Sequence, residues 1–189
     1  SVIAAAQRAF GRVPDFFVPA HPIAGTEQSG VGASFAELYH DRRGILTPLP
    51  ETGSDATGRV RAKWEAAGAR VVSMNPVQHD AVLEATSHLP HLLAYSLVDT
   101  LARLDENEEV FEYAAGGFRD FTRIASSDPV MWRDVCLANA DAILLMIEHY
   151  IADLQVLGEA IRHHDGQQLL DVFSAAKAAR DRFIDKPPG

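Results

Sequence analysis

The sequence predicts an α/β segment that gives way near residue 75 to an all-α segment. Three observations carry this. Up to Met74, short strand-like runs alternate with helical ones. At Asn75-Pro76 a capping side chain precedes a proline suited to a first helical turn. Beyond it no run reads convincingly as a strand, and apolar residues recur at three and four. The division is placed at 1–75 and 76–189.

In order, residues 2–9 (VIAAAQRA) read as a helix. Asp15 to Val18 (DFFV) read as a buried strand closed by Pro19, and residues 30–39 as a short helix. Gly44 to Thr47 (GILT) form a second strand, stopped by Pro48. Residues 55–67 have helical spacing, with Trp64 on the inner face and Gly68 as the stop. Arg70 to Met74 form a third strand. In the second segment, Val82, Ala85, Leu89, Leu92, Leu93 and Leu97 trace an apolar face, kinked at Pro90. Ser127-Asp128-Pro129 opens one long helix from Trp132 past Ile161, and a last helix covers 166–184. The stretch ILLMIEHYI (143–151) is apolar over more than one stripe. A helix of that kind is buried on most sides, and few other elements are present to cover it, so a homodimer is expected.

Composition narrows the function. Apolar residues make up 47% of 189, enough for a sizeable core. Acidic residues outnumber basic ones 26 to 17, for a net charge of -9, which argues against a nucleic-acid partner. Anionic small substrates remain compatible, because a site can be locally positive on an acidic protein. The single cysteine, Cys136, permits no intrachain disulfide and fits a cytoplasmic setting. No apolar run reaches the ~20 residues that span a bilayer, so no membrane partner is expected.

Three segments carry candidate chemistry. HPIAGTE (21–27) follows a predicted strand end, where open α/β sheets place their sites. A histidine there suits general-base work near neutral pH, and Gly25 allows close backbone approach to a ligand. Taken alone this is weak, since a loop histidine is more often a plain polar residue. SHLPH (87–91) places His88 and His91 on one helix face. With His79 two turns earlier they form a weak metal candidate, lacking matched partners; a ligand-facing wall suits them better. GGFRDFTRIA (116–125) joins two helices and groups Arg119, Asp120 and Arg123. Arginine forks bind carboxylates, though salt bridging between helices accounts equally well for the cluster. Trp132 is read as core by default. No G-x-G-x-x-G loop, G-x-S-x-G elbow, C-x-x-C pair or Walker loop occurs.

Together, HPIAGTEQSG (21–30), GILTP (44–48), HDAVLEATSHLPHLLAYSLVDTL (79–101) and GGFRDFTRIASSDPVMWRD (116–134) resemble the prephenate/arogenate dehydrogenase family, in order and approximate spacing. The resemblance runs from about residue 15 to 160. It implies a Rossmann-like nucleotide-binding domain followed by a helical dimerisation domain. It also implies that the family's glycine-rich cofactor loop, and a serine that contacts the substrate hydroxyl, lie upstream of Ser1. The chain is then the C-terminal portion of such an enzyme, inactive alone.

The implied reaction is oxidative decarboxylation with NAD or NADP. Prephenate gives 4-hydroxyphenylpyruvate and CO2; arogenate gives tyrosine. By resemblance His21 is the catalytic histidine and Arg123 the substrate-binding arginine. His91 and Trp132 line the pocket, Glu27 and Asp120 form an ionic network with Arg123, and Thr26 is a weaker ligand contact. Two other readings stand beside this one. One is a non-catalytic dimeric helical binding or regulatory module. The other is a metal-dependent hydrolase using His79, His88 and His91.

Overall fold

The computed structural model describes residues 2–25, 30–105 and 107–183. Contacts divide the chain into two compact units, Ser1–Ile143 and Leu144–Gly189. The first opens with helix α1 (Val2–Phe10). The expected strand at Asp15 to Val18 does not form. Phe17 N–H donates to Pro14 O (3.0 Å), Asp15 O accepts from Gly53 N–H (2.7 Å), and the Thr52 hydroxyl donates to Phe17 O (3.2 Å). These bonds occupy backbone groups that a ladder would have used. The first strand is instead β1 (Ala20–Pro22), just past Pro19.

β1 runs antiparallel to β2 (Arg43–Leu46), with Ala20 opposite Leu46 and His21 opposite Ile45. β2 runs parallel to β3 (Arg70–Ser73), completing a sheet of order β1-β2-β3. Helix α2 (Ser54–Ala66) makes the crossover that a parallel pair requires. An antiparallel return needs none, and the helix expected over 30–39 shrinks to a 3-10 turn at Val31–Ala33. The Ser34 hydroxyl closes that turn on Val31 O (2.7 Å) and leaves Ser34 extended. Ile45 and Leu46 form the buried centre of the sheet. The Arg61 guanidinium donates to Val71 O and Ser73 Oγ, both at 2.9 Å, fastening α2 to β3. Trp64 meets Tyr39 edge-on at 5.0 Å. Gly68 ends the helix turn with φ +88, and a Cβ there would lie 2.8 Å from His40 Cδ2.

Asn75 caps α3 (Pro76–Leu83) by accepting from Gln78 N–H at 2.8 Å. The next turn, Glu84–His88, is π-helical, with Leu89 N–H donating to Glu84 O, and it leads into α4 (Leu89–Ala102). Pro90 explains the widened turn. Its ring clashes with a carbonyl four residues earlier in a regular helix, and a π turn relieves that. After α5 (Asn107–Glu112) the GGFRDFT run is itself a helix, α6 (Gly116–Thr122), rather than a connector. Both glycines fall in its first turn. A 3-10 turn follows at Arg123–Ser126, and this turn and α6 pack against α4.

Asp128 caps α7 (Pro129–Ala138), accepting from Val130 and Met131 N–H at 2.8 and 2.9 Å. The single long helix expected from here is two. It breaks at Asn139 (φ -121), whose amide donates to Val135 O at 3.0 Å. Asparagine competes in this way for backbone partners and is a poor helix former. Helix α8 (Ala140–Arg162) follows, then α9 (Gly166–Phe183). Among the described residues no strand occurs after Asn75, and no single helix is long and apolar enough to cross a membrane.

The second unit holds most of α8 and all of α9. Ala160 is its one buried apolar residue among those described, while Leu144, Ile151, Leu154 and Ile161 are exposed. Their spacing of seven, three and seven places them on one helical stripe.

Candidate active site

His21 lies within β1, not in a loop after a strand, and β1 is antiparallel. Its position still matches the sheet logic. Opposite Ile45, it sits near the carboxyl end of β2, and Asn75 starts α3 just past the carboxyl end of β3. One turn into α3 stands His79. His21 Nδ1 and His79 Nε2 are 2.9 Å apart, and His79 Nδ1 is 2.9 Å from Asp80 Oδ1. The result is a continuous chain from an imidazole through a second imidazole to a carboxylate. Partial burial lowers the His21 pKa, and the neighbouring His79 and then His88 lower it further. The His21 ring is therefore neutral, and able to accept a proton, further into acid than an ordinary histidine.

A second group lies on the π turn, α4 and α7. His91 stacks on Trp132 with centroids 3.7 Å apart and planes 20° apart, and His88 meets the same indole edge-on at 6.1 Å. Trp132 is 9% exposed and belongs to the core. His91 Nδ1–H donates to Ser87 O at 2.8 Å, the direction a carbonyl demands, so a neutral His91 carries its lone pair on Nε2. Burial lowers the pKa of both His88 and His91. His88 Nδ1 and Trp132 Nε1 are buried without a hydrogen-bond partner among the described residues. An unmet buried donor costs about 1–3 kcal/mol, which a polar ligand would recover. The Tyr95 hydroxyl donates to Ser127 O (2.6 Å), tying α4 to the cap of α7.

Arg123 opens the 3-10 turn packed on α4 and is exposed; Asp120 is exposed on α6. Thr26 and Glu27 lie outside the described residues. The structure thus brings together His21, His79 and Asp80, and separately His88, His91 and Trp132. His79 and His88 both lower the His21 pKa, so the two groups lie within electrostatic reach of each other. The pairing of His79 with His21 was not foreseen, since 58 residues separate them. Among the described residues no group of three or more His, Cys, Asp or Glu is arranged to hold a metal ion. The parallel β2-α2-β3 unit has the build of a nucleotide-binding sheet. No G-x-G-x-x-G turn of the kind that cradles a pyrophosphate occurs in this sequence.

An α/β segment with a histidine at its sheet edge, followed by helices that wall the site, defines a two-part protein. Residues 1–73 match the family model for the prephenate dehydrogenase nucleotide-binding domain, and residues 75–175 match that for its dimerization domain. The chain belongs to the prephenate dehydrogenase family. Cyclohexadienyl dehydrogenase of Zymomonas mobilis is 44% identical over 165 residues, covering 86% of this chain and 56% of that protein. Prephenate dehydrogenase of Bacillus subtilis is 38% identical over 169 residues, covering 87% and 45%. The chain thus spans about half the length of these curated relatives. Prephenate dehydrogenase from A. aeolicus, in complex with hydroxyphenyl propionate and NAD+, superposes with a TM-score of 0.86. That match has 39% identity and covers 98% of this chain and 64% of that one.

Proposed function

We propose that the full-length protein carries out the oxidative decarboxylation of prephenate, arogenate or both, as a homodimer in the cytoplasm, with His21 as base. The observation that carries this is the His21 ring at the sheet edge, held at 2.9 Å from His79 and kept neutral by its surroundings. Family membership supports the substrate class. A nicotinamide cofactor, NAD or NADP, would supply the hydride acceptor when bound. The remaining chemistry falls to the protein. As hydride leaves the ring carbon bearing the hydroxyl, positive character grows there and the hydroxyl proton becomes acidic. His21 takes that proton as the carbonyl forms. The ring carboxylate then leaves as CO2; its bonding electrons complete the aromatic ring and put the charge on the former carbonyl oxygen, which takes the proton back from His21 to give the phenol.

Arg123 supplies the fixed cation for a substrate carboxylate, and Asp120 and Glu27 bias its position. His91 and Trp132 form the wall against the substrate, with Thr26 as a further contact. We assign residues 1–75 to the nucleotide-binding part and 76–189 to dimerisation and substrate binding. The exposed stripe on α8 supports the dimer. The lone Cys136, half-buried with its thiol pKa raised by burial, supports a reducing compartment. The test is direct: full-length protein is mixed with NAD and prephenate, then with arogenate, and reduced cofactor is followed by absorbance. Reduction with neither substrate, nor with NADP in place of NAD, would defeat the assignment.

A further inference from the structure

We propose that His79, anchored by Asp80, is a positioning residue that fixes the tautomer of His21, leaving His21 Nε2 unprotonated and facing the substrate hydroxyl. This rests on His21 being the base. An ionised carboxylate only accepts, so Asp80 Oδ1, 2.9 Å away, places a proton on His79 Nδ1. A neutral His79 then has its lone pair on Nε2. That atom lies 2.9 Å from His21 Nδ1, so His21 Nδ1 must be the donor. A neutral His21 consequently has its lone pair on Nε2, the one ring nitrogen left for a substrate. Each link forces the next, and no other arrangement of neutral rings satisfies both contacts.

The placement of the chain supports this role. His79 is the half-buried middle member, its side chain 17% exposed, while the Asp80 side chain is 51% exposed and stays hydrated. His79 and His88 act on His21, while Asp80 and His79 act on His88; further out, Glu84 on the π turn is within reach of Asp80, and His91 on α4 within reach of His88. The pKa of Glu84 is raised by its burial and by Asp80. When His21 takes the substrate proton, the new positive charge sits two hydrogen bonds from Asp80, whose anion offsets it. Protonation of His79 would reverse the pattern. His79 Nε2–H would then donate to His21 Nδ1, and His21 Nε2 would carry a proton instead of receiving one.

The experiment uses full-length protein with 15N-labelled histidine. Long-range 1H–15N correlation spectra report which ring nitrogen of His21 is protonated, above the pH at which His21 titrates. The native protein is expected to show His21 protonated on Nδ1. In His79→Ala the proton is expected to move to Nε2, wholly or in part, and kcat to fall roughly 10- to 1000-fold with KM little changed. Asp80→Asn, at an exposed position that should not disturb folding, is expected to shift both readouts in the same direction by less. Native His21 protonated on Nε2, or a tautomer unchanged in both variants, would overturn the proposal. The underlying reading has its own control. If His21→Asn retains turnover, the base assignment fails whatever the tautomer; if it abolishes turnover while His79 and Asp80 variants are silent, only the positioning role fails.

Discussion

The two compact units differ in what they do with apolar residues. The first buries Leu46 in its sheet and Leu89, Ala94 and Trp132 in its helices, although Phe10, Val77 and Leu137 stay exposed, and it carries the paired histidines. The second is mostly two helices, and it leaves Leu144 (55%), Leu154 (50%) and Phe173 (58%) open. Buried neighbours hold a side chain in place, whereas an open helical stripe is available to a second copy, which is the use proposed for it. Burying one such side chain is worth about 1.5–3 kcal/mol. Under the proposed function, the catalytic side chains lie in the first unit and the open stripe in the second, so the two should respond separately to substitution.

The largest expected effect falls on the first unit. His21→Asn in the full-length protein should lower kcat by roughly 10²- to 10⁴-fold with KM little changed. The native acid limb of kcat should lie below the ordinary histidine range, because burial, His79 and His88 lower the His21 pKa and activity needs the neutral ring. A limb at or above that range would contradict the assignment. Arg123→Gln should mainly raise KM, by ~1.5–3 kcal/mol of lost charged hydrogen bonding; steady-state kinetics showing a loss in kcat alone would remove its role as anchor.

The second unit should answer differently. Ile151→Glu with Leu154→Glu should convert a dimer to a monomer in sedimentation, leaving far-ultraviolet dichroism nearly native, and an unchanged mass would move the interface elsewhere. Smaller effects test the first unit's own frame. Gly68→Ala should lower stability by about 1–3 kcal/mol, since φ is +88 and the new Cβ meets His40 Cα at 3.1 Å. Asn75→Ala should cost ~1 kcal/mol in denaturant titration through the lost α3 cap. Neither should alter the mass.

Where local chemistry decides the structure, the sequence was legible. Asn75-Pro76 and Asp128-Pro129 cap helices as expected, and β2, α2 and β3 fall within a residue or two of the reading. Local reading failed where tertiary partners decide. Phe16 and Phe17 look like strand residues, yet the 49–53 loop claims the backbone at Asp15 and Phe17. Asn139 gives little warning that it will break a helix. His21, His91 and Trp132 could be named from motif resemblance. The contact of His21 with His79 could not, because only folding brings β1 against α3. His79-Asp80 carried a signal of its own, a histidine beside a carboxylate, but with nothing to say which ring it would meet.

The π turn between α3 and α4 has a consequence for how the chain tolerates change in length. A residue of a regular helix advances the face by roughly 100°. The widened turn at Glu84–His88 takes one extra residue into a single turn, so the faces of α3 and α4 keep nearly the phase of an unbroken helix. Deleting one residue there and closing the turn to a regular helix would leave His79 and His91 near their present faces, although Pro90 opposes that closure. The same deletion elsewhere between them would turn one face by about 100° against the other, so that His79 and His91 could not both keep their partners. The five-residue turn is the slack link of the segment, the one place where a change in length is taken up without turning the histidines.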